Sequence, residues 1–395
     1  MARRLRAAGH EVVVATAGAP APEGGTSFPA EDDRDPGSAA EEVAATMTDL
    51  APDLCLIDLE LPLHVIVTAG IGIPTATWTT MLSVCKRPGV PPPHTSIIPG
   101  EGAAGSPAGI ELAWARYRAA KRIGAWRARI ARRGADRIST LARIADRYGF
   151  PFAAEADTGQ WLVPFSFRTI PTLSLNALEL DWPHRPPRSF HYVGPMLGPP
   201  PTTTDHPALA DAYAAREAGR PLVYAAFGAW YRGDDAEFVR RVVAVAEERP
   251  TWTVVVGLGG RLDAEDLGPV PDNAIVLDWA PQREVLARAD AAIHHGGAGS
   301  LNECLAAGVP MVTYPLPVLD GPGNAARAVF HGLAVPGDRR HDAPATIADR
   351  LQAVMDDAAF GRAARRMGTI IAGYATERRL ERTIDSLTDS ARPHR

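Results

Sequence analysis

The sequence is short of cysteine. Its 395 residues hold three, Cys55, Cys85 and Cys304, scattered along the chain and odd in number. No CxxC pair occurs, so neither a disulfide framework nor a thiolate metal or redox centre is indicated. A reduced, cytoplasmic protein is expected. Long apolar runs are also missing: none approaches the ~18 residues of a membrane span. The opening MARRLRAAGHEVVVA is not a signal peptide: its apolar run is too short, and that run reads as a strand. Excess charge is absent too. A formal net charge of −5 gives no global reason to expect nucleic acid as a partner. There is no tandem repeat of the solenoid kind. What remains is a chain of about two domains' length. Its 46% hydrophobic content suffices for sizeable cores.

Strand and helix signals alternate. Arg3 to Ala8 reads as the end of a helix stopped by Gly9, followed by a β-rich run from Glu11 to Thr16. PDLCLID, from Pro52, predicts a buried strand ending at Asp58, and GIPTATWTT, from Gly72, a turn and another strand. Lys86 to Pro107, rich in proline and glycine, is expected to be a long surface loop. Trp114 to Arg133 has a helical pattern with eight Lys or Arg and no acid. YVGPMLGPPPTTTDHP marks a linker. Beyond it, strands are expected at Pro221–Phe227, Thr251–Val256, Ala274–Leu277, Ala291–His294 and Met311–Tyr314, with helices at Asp235–Glu248, Gln282–Ala289 and Ser300–Ala307. Such alternation implies parallel sheets covered on both faces.

One turn stands out, AAIHHGGAGSLNECLAAGVP from Ala291 to Pro310. It lies at the carboxyl end of a predicted strand, where open α/β sheets bind ligands. Gly296, Gly297 and Gly299 let a ligand approach the backbone. Ser300 is expected at or near the helix N-cap, where free N–H groups suit an anion. His295 adds a donor or a positive charge. The plain alternative is a tight turn with a capping serine and buried histidines. A dinucleotide fingerprint competes through Gly297-Ala298-Gly299 and Asp320, but its third glycine position is Asn302.

DWAPQREVLARAD (Asp278–Asp290) precedes this turn and GVPMVTYPLPVLDGPGNAARAV (Gly308–Val329) follows it. The ordered set WAPQxEVL, HxGxxSxxE, GVPMV and DxPG with NAAR resembles family 1 nucleotide-sugar-dependent glycosyltransferases of the GT-B fold. The bacterial natural-product, macrolide and carotenoid branch is nearest. The resemblance covers about 150 residues of the second half; GHEVVVAT, PDLCLID, GIPTATW, NALELDWP and HYVGPM carry it more loosely in the first. It implies an α/β, GT-B chain: two Rossmann-like domains facing across a cleft. The expected division is an acceptor domain over 1–197 lacking its first strand, a linker over 198–220, a donor domain over 221–368, and a helix over 369–395 crossing back.

Roles follow from the resemblance. Trp279 would stack on uracil or thymine, and Gln282 would reach the base edge or ribose. His295 and Ser300, with the backbone at Gly297 and Gly299, would hold the diphosphate. Glu303 would accept ribose hydroxyl protons, and Asp320 would bind sugar hydroxyls. Gly228 would let the first βα loop approach the phosphates. The implied reaction is inverting displacement at the anomeric carbon, with the helix dipole and His295 stabilising the leaving diphosphate without a metal or cofactor. The one D-x-D triplet, Asp33–Asp35, lies in an acidic loop. The acceptor hydroxyl needs a general base, commonly a histidine oriented by an aspartate. Asp58 matches the aspartate, but the histidine has no counterpart. His10 is expected to be structural, and His64 and His94 are candidate substitutes. Two positions depart from the usual pattern: Asp320 is followed by Gly321 instead of glutamine, and Gly228 by Ala229 instead of a small hydroxyl residue.

For the acceptor half, Trp78 and the Lys86–Pro107 loop either line an apolar cleft or, for Trp78, belong to the core. The basic Trp114–Arg133 helix can present a solvated face, meet a partner or rest on an anionic membrane. The expected function is transfer of a sugar from a UDP- or TDP-sugar to a hydrophobic natural product, by a monomer or homodimer. The rivals are a silent GT-B helper or binding protein, a nucleotide-sugar epimerase and a nicotinamide oxidoreductase.

Overall fold

The computed structural model describes residues 1–17, 26–28, 35–161, 165–198, 206–227, 235–260, 262–317 and 319–391. It opens with the helix Ala2–Ala7, ended near Gly9, whose φ of +96° suits a residue without a Cβ. The strand Ala15–Ala17 pairs in parallel with Thr26–Phe28. A four-stranded parallel sheet follows. Its neighbours, in order, are Cys55–Asp58, Thr75–Thr79, Thr172–Ser174 and Phe190–Tyr192. The apolar helix Pro62–Gly70 is sandwiched between Pro36–Leu50 and Arg137–Arg147, which explains why it carries almost no polar face. Asp35, from the D-x-D triplet, caps Pro36–Leu50 by accepting the Ser38 N–H at 3.0 Å. Asp33 lies outside the described residues.

Six parallel strands form the second sheet, in the order Ala274–Leu277, Thr253–Gly257, Leu222–Ala226, Ala291–His294, Met311–Thr313 and Ala334–Pro336. Numbered along the chain this is 3-2-1-4-5-6, the doubly wound order. Its central strands are buried throughout, as expected where helices cover both faces. The order reverses between Leu222–Ala226 and Ala291–His294, so a crevice opens beyond their carboxyl ends.

Several expectations change. The Lys86–Pro107 segment is not simply a surface loop. Val90 to Pro93 are buried, and Val90 packs with Trp182 and Ala326. Pro93 O accepts the Gly323 N–H at 2.9 Å, so the loop is wedged between the two halves. Its prolines can be buried because they bring no N–H that needs a partner. The helix expected over 235–248 is two, Asp235–Val243 and Val245–Glu248. The C-terminal helix is also two, Ala358–Thr376 and Arg379–Ala391, broken at Arg378 with φ +53°. The first packs on Ala298–Ala307, and Gly368 makes the approach feasible: a Cβ there would stand 2.3 Å from Leu305 O. The second crosses back as expected. Leu380 and Ile384 join Leu5, Leu173 and Val193, and Glu381 takes a bidentate pair from Arg4 at 2.9 and 2.7 Å.

Candidate functional site

The Ala291–His294 strand ends on two histidines with different work. His294 is buried; its Nδ1 accepts the Gly296 N–H at 3.0 Å and its Nε2 lies 3.2 Å from Met311 Sδ. Burial, with the neighbouring His295 ring, lowers its pKa to about 3, so it stays neutral and fixes the turn. His295 sits beside the helix start. A Cβ on Gly297 would stand 2.6 Å from His295 Nε2, so the bare glycine makes room for the imidazole. Gly296, at φ +86°, passes against Gly321, where a Cβ would lie 2.4 Å from the carbonyl oxygen. Asn324 Nδ2 donates to Gly296 O at 3.0 Å and closes this junction.

The helix spans Ala298–Ala307 with Gly297 as its N-cap and no side-chain cap bond. Ser300 therefore lies within the first turn, not at the cap. The first internal bond runs from Leu301 N to Gly297 O, which leaves the preceding amides facing the turn. Gly299 has a different reason to be glycine: a Cβ there would meet nothing within 4 Å. A glycine inside a helix costs about 0.5–1 kcal/mol relative to alanine, and packing does not require this one. The missing side chain leaves the backbone of the first turn open on that side.

Trp279 follows the Ala274–Leu277 strand and is 70% exposed. Its ring lies on Gly260, where an added Cβ would come within 3.0 Å of the indole. The indole is thus held against backbone on one side and open to solvent elsewhere. Gln282 begins the helix Gln282–Leu286. Its Nε2 donates to Glu303 Oε2 and lies 3.5 Å from Ser300 Oγ, while its Oε1 accepts from Tyr224 OH at 3.2 Å. Burial raises the Glu303 pKa, opposed by Gln282 and Arg283. Trp279, Gln282, Ser300 and Glu303 thus come together at the carboxyl edge of the sheet.

Asp320 occupies the N-cap position of the helix Gly321–Phe330 without a side-chain cap bond and accepts from Asn324 Nδ2 at 3.0 Å; burial raises its pKa. Asp58, ending its strand, accepts the Glu60 N–H at 3.0 Å, and its pKa is also raised by burial. Burial raises the pKa of Glu60 as well, and after burial the charges of Asp58 and Asp320 do so from both halves. The cleft between the halves therefore carries carboxylates on each wall.

Trp78 is placed elsewhere. It is half-buried against the cluster of Leu5, Leu173, Leu380 and Ile384, under the last helix. The opposite faces of a strand alternate, and this indole takes the face the last helix covers. Gly228 and Ala229 lie outside the described residues. His94 Nδ1 accepts the Trp161 indole N–H at 3.1 Å, so its neutral tautomer carries the proton on Nε2 and offers no open lone pair for a base. His10 Nε2 lies 3.3 Å from Asp385 Oδ1 and ties the chain start to the last helix. His64 is buried in Pro62–Gly70.

Sequence reasoning missed four contributors. Tyr224 was signalled by a lone phenol in the apolar run PLVYAAF, and Asn324 sits inside the NAAR stretch. Gly260 and Glu60 carried no signal, because only tertiary structure puts one under an indole and the other across a cleft.

The fold is that of the GT-B glycosyltransferases. Residues 251–375 match the family model described as erythromycin biosynthesis protein CIII-like, C-terminal domain. The demethyllactenocin mycarosyltransferase of Streptomyces fradiae is 38% identical over 125 residues, 32% of this chain and 25% of that protein. The chain spans between 25% and 63% of the length of the first curated relatives it matches. The crystal structure of the glycotransferase of kitacinnamycin shares the fold at a TM-score of 0.68 and 22% identity, covering 98% of this chain and 93% of that one. That of the glycosyltransferase VinC in complex with DTDP gives 0.59 and 18%, covering 91% and 77%.

Proposed function

We propose that this protein is an inverting, metal-independent glycosyltransferase that moves a sugar from a UDP- or TDP-sugar to a hydrophobic natural-product hydroxyl. The observation that carries the reading is the grouping of an exposed indole shelf, a Gln282–Glu303 pair and an uncapped glycine-rich helix start at one sheet edge. Each element matches one part of a nucleoside diphosphate: base, ribose and phosphates. The mycarosyltransferase relative and the DTDP named with VinC support the same class of donor.

In this scheme the acceptor oxygen attacks the anomeric carbon as the bond from that carbon to the diphosphate oxygen breaks. Negative charge grows on the leaving diphosphate. The amides at the start of Ala298–Ala307 and the His295 ring meet that charge. Asp320 binds sugar hydroxyls from the donor wall. Asp58 stands on the opposite wall, where a base must be oriented to take the acceptor proton.

A second reading is a donor-binding helper without turnover. It is favoured by one observation: the bonded partner of Asp58 is the Glu60 amide rather than an imidazole. Calorimetry with UDP and TDP, followed by mass analysis of incubations with nucleotide sugars and apolar hydroxylated aglycones, separates the cases. Turnover establishes the first reading. Tight nucleotide binding with no product over a broad acceptor panel supports the second, and no nucleotide binding refutes both.

A further inference from the structure

The helix Pro107–Ala131 presents two opposite faces. Ile110 and Trp114 are buried and anchor it; Trp114 Nε1 donates to Val90 O at 2.7 Å. Lys121 and Arg118 turn toward the same body and donate to the carbonyls of Gln160 and Gly159 at 2.8 and 2.7 Å. The outer face is apolar. Leu112 is 51% exposed, Ile123 50%, Trp126 63% and Ile130 58%. With Ala119, their spacings of 7, 4, 3 and 4 put them in one stripe along the helix. Four of the ten exposed large hydrophobic residues of the described chain lie in this one stripe.

Exposed arginines flank it on both sides, Arg122 and Arg129 along one edge, Arg116 and Arg127 along the other. From Trp114 to Arg133 there is no acid. The nearest on this helix, Glu111, is paired with Lys86.

We propose that this face docks the protein on an anionic lipid surface, with Trp126 and its apolar neighbours sunk among the headgroups and the arginines on lipid phosphates. An apolar stripe bordered by cations on both edges, with a tryptophan within it, fits the boundary between headgroups and acyl chains. Charge decides against a helical protein partner. Such a partner would have to supply acids along both edges, whereas an anionic bilayer supplies negative charge on every side. The helix also braces the loop wedged at the cleft, so docking would bring the cleft close to the bilayer.

Vesicle co-sedimentation of the full chain tests this. Phosphatidylcholine vesicles containing phosphatidylglycerol should bind it, phosphatidylcholine alone should not, and raising the salt should release it. Arg122→Gln with Arg129→Gln should weaken binding roughly fivefold per charge removed. Trp126→Ser with Ile130→Ser should weaken it by about tenfold or more at unchanged charge. Both pairs are exposed, so thermal melting should stay within about 2 °C of the parent. Failure of the parent chain to bind the anionic vesicles overturns the proposal. So does equal binding by the Trp126/Ile130 variant. Self-association of the parent that this variant abolishes, without vesicle binding, also overturns it and makes the stripe a protein interface.

Discussion

Arg327 of the second half and Asp181 of the first meet with Nε 2.7 Å from Oδ1, their side chains 1% and 0% exposed. The carboxylate is fully engaged: its other oxygen accepts from Tyr192 OH at 2.5 Å and from the Ser83 N–H at 2.8 Å, and the Arg327 guanidinium lies over the Trp182 ring. Close by, Asn302 Nδ2 donates to Asn176 Oδ1 at 2.8 Å, a second buried bond between the halves. The sheets are thus joined by buried polar contacts, next to the helix that carries Ser300 and Glu303.

Breaking this ion pair on one side should cost much of the stability. Asp181→Asn leaves a buried guanidinium without its counter-ion, a loss of about 3–5 kcal/mol, visible as a lower thermal midpoint at neutral pH. Burial opposes ionisation of Asp181, but Arg327, Tyr192 and His184 outweigh it and hold its pKa below the usual carboxylate value. A carboxyl with a depressed folded pKa stabilises above its unfolded value, near ~3.9, and loses that contribution as pH falls through the folded one. The parent midpoint should therefore hold from neutrality to about pH 5 and drop below about pH 4. The Asn variant should start lower and lose less over that range. Equal acid sensitivity in both would remove Asp181 as a source of the acid loss.

The indole shelf makes a contrasting case, because its removal should leave stability alone. Trp279 is open to solvent and rests on a glycine, so Trp279→Ala forfeits little packing. Stacking of a base on an aromatic ring contributes about 1–3 kcal/mol. UDP and TDP should each bind roughly tenfold or more weaker to this variant, with the melting curve unchanged. Unaltered affinity in calorimetry would leave the shelf without a ligand.

How much of this was legible beforehand depends on the range of the interactions. Strands such as Ala274–Leu277 and Ala291–His294 came out at the boundaries read from the sequence, because a buried run between turn residues specifies itself. Gly308, at φ +71°, ended its helix as read. The grouping of Trp279, Gln282, Ser300 and Glu303 was legible only through joint spacing and resemblance; none of the four signals its role alone. Burial of Val90 to Pro93 was not legible, since proline-rich segments on the surface and those wedged between domains have the same composition. Nor was the face taken by Trp78, which depends on where the last helix lands, more than 300 residues further along the chain.

Glu303 gives a test of ribose recognition. In the free protein its carboxylate is occupied by Gln282. A ribose would exchange that bond for hydroxyl donors. Glu303→Ala should reduce UDP affinity about tenfold, the scale of a hydrogen bond to a charged group. Glu303→Gln should recover part of it, because the amide oxygen still accepts. Calorimetry that finds UDP binding unchanged in the Ala variant would remove Glu303 from the ribose site.

His295 can be separated from its neighbour by the ligand's charge. Two substitutions at adjacent positions should have opposite profiles. His294 is buried and bonded to the turn, so His294→Ala should lower the thermal midpoint through a cavity and an unpaired Gly296 amide. His295 lies beside the helix start, where a phosphate would meet both the ring and the free amides. His295→Ala should weaken nucleoside diphosphate binding by about tenfold, the scale of one charge-assisted bond, and leave nucleoside binding within about twofold. Equal losses for the nucleoside and its diphosphate would mean the imidazole shapes the pocket as a whole and does not hold the phosphates. Competition binding with uridine, UMP and UDP measures this directly, since each added phosphate should widen the gap between the parent and the variant.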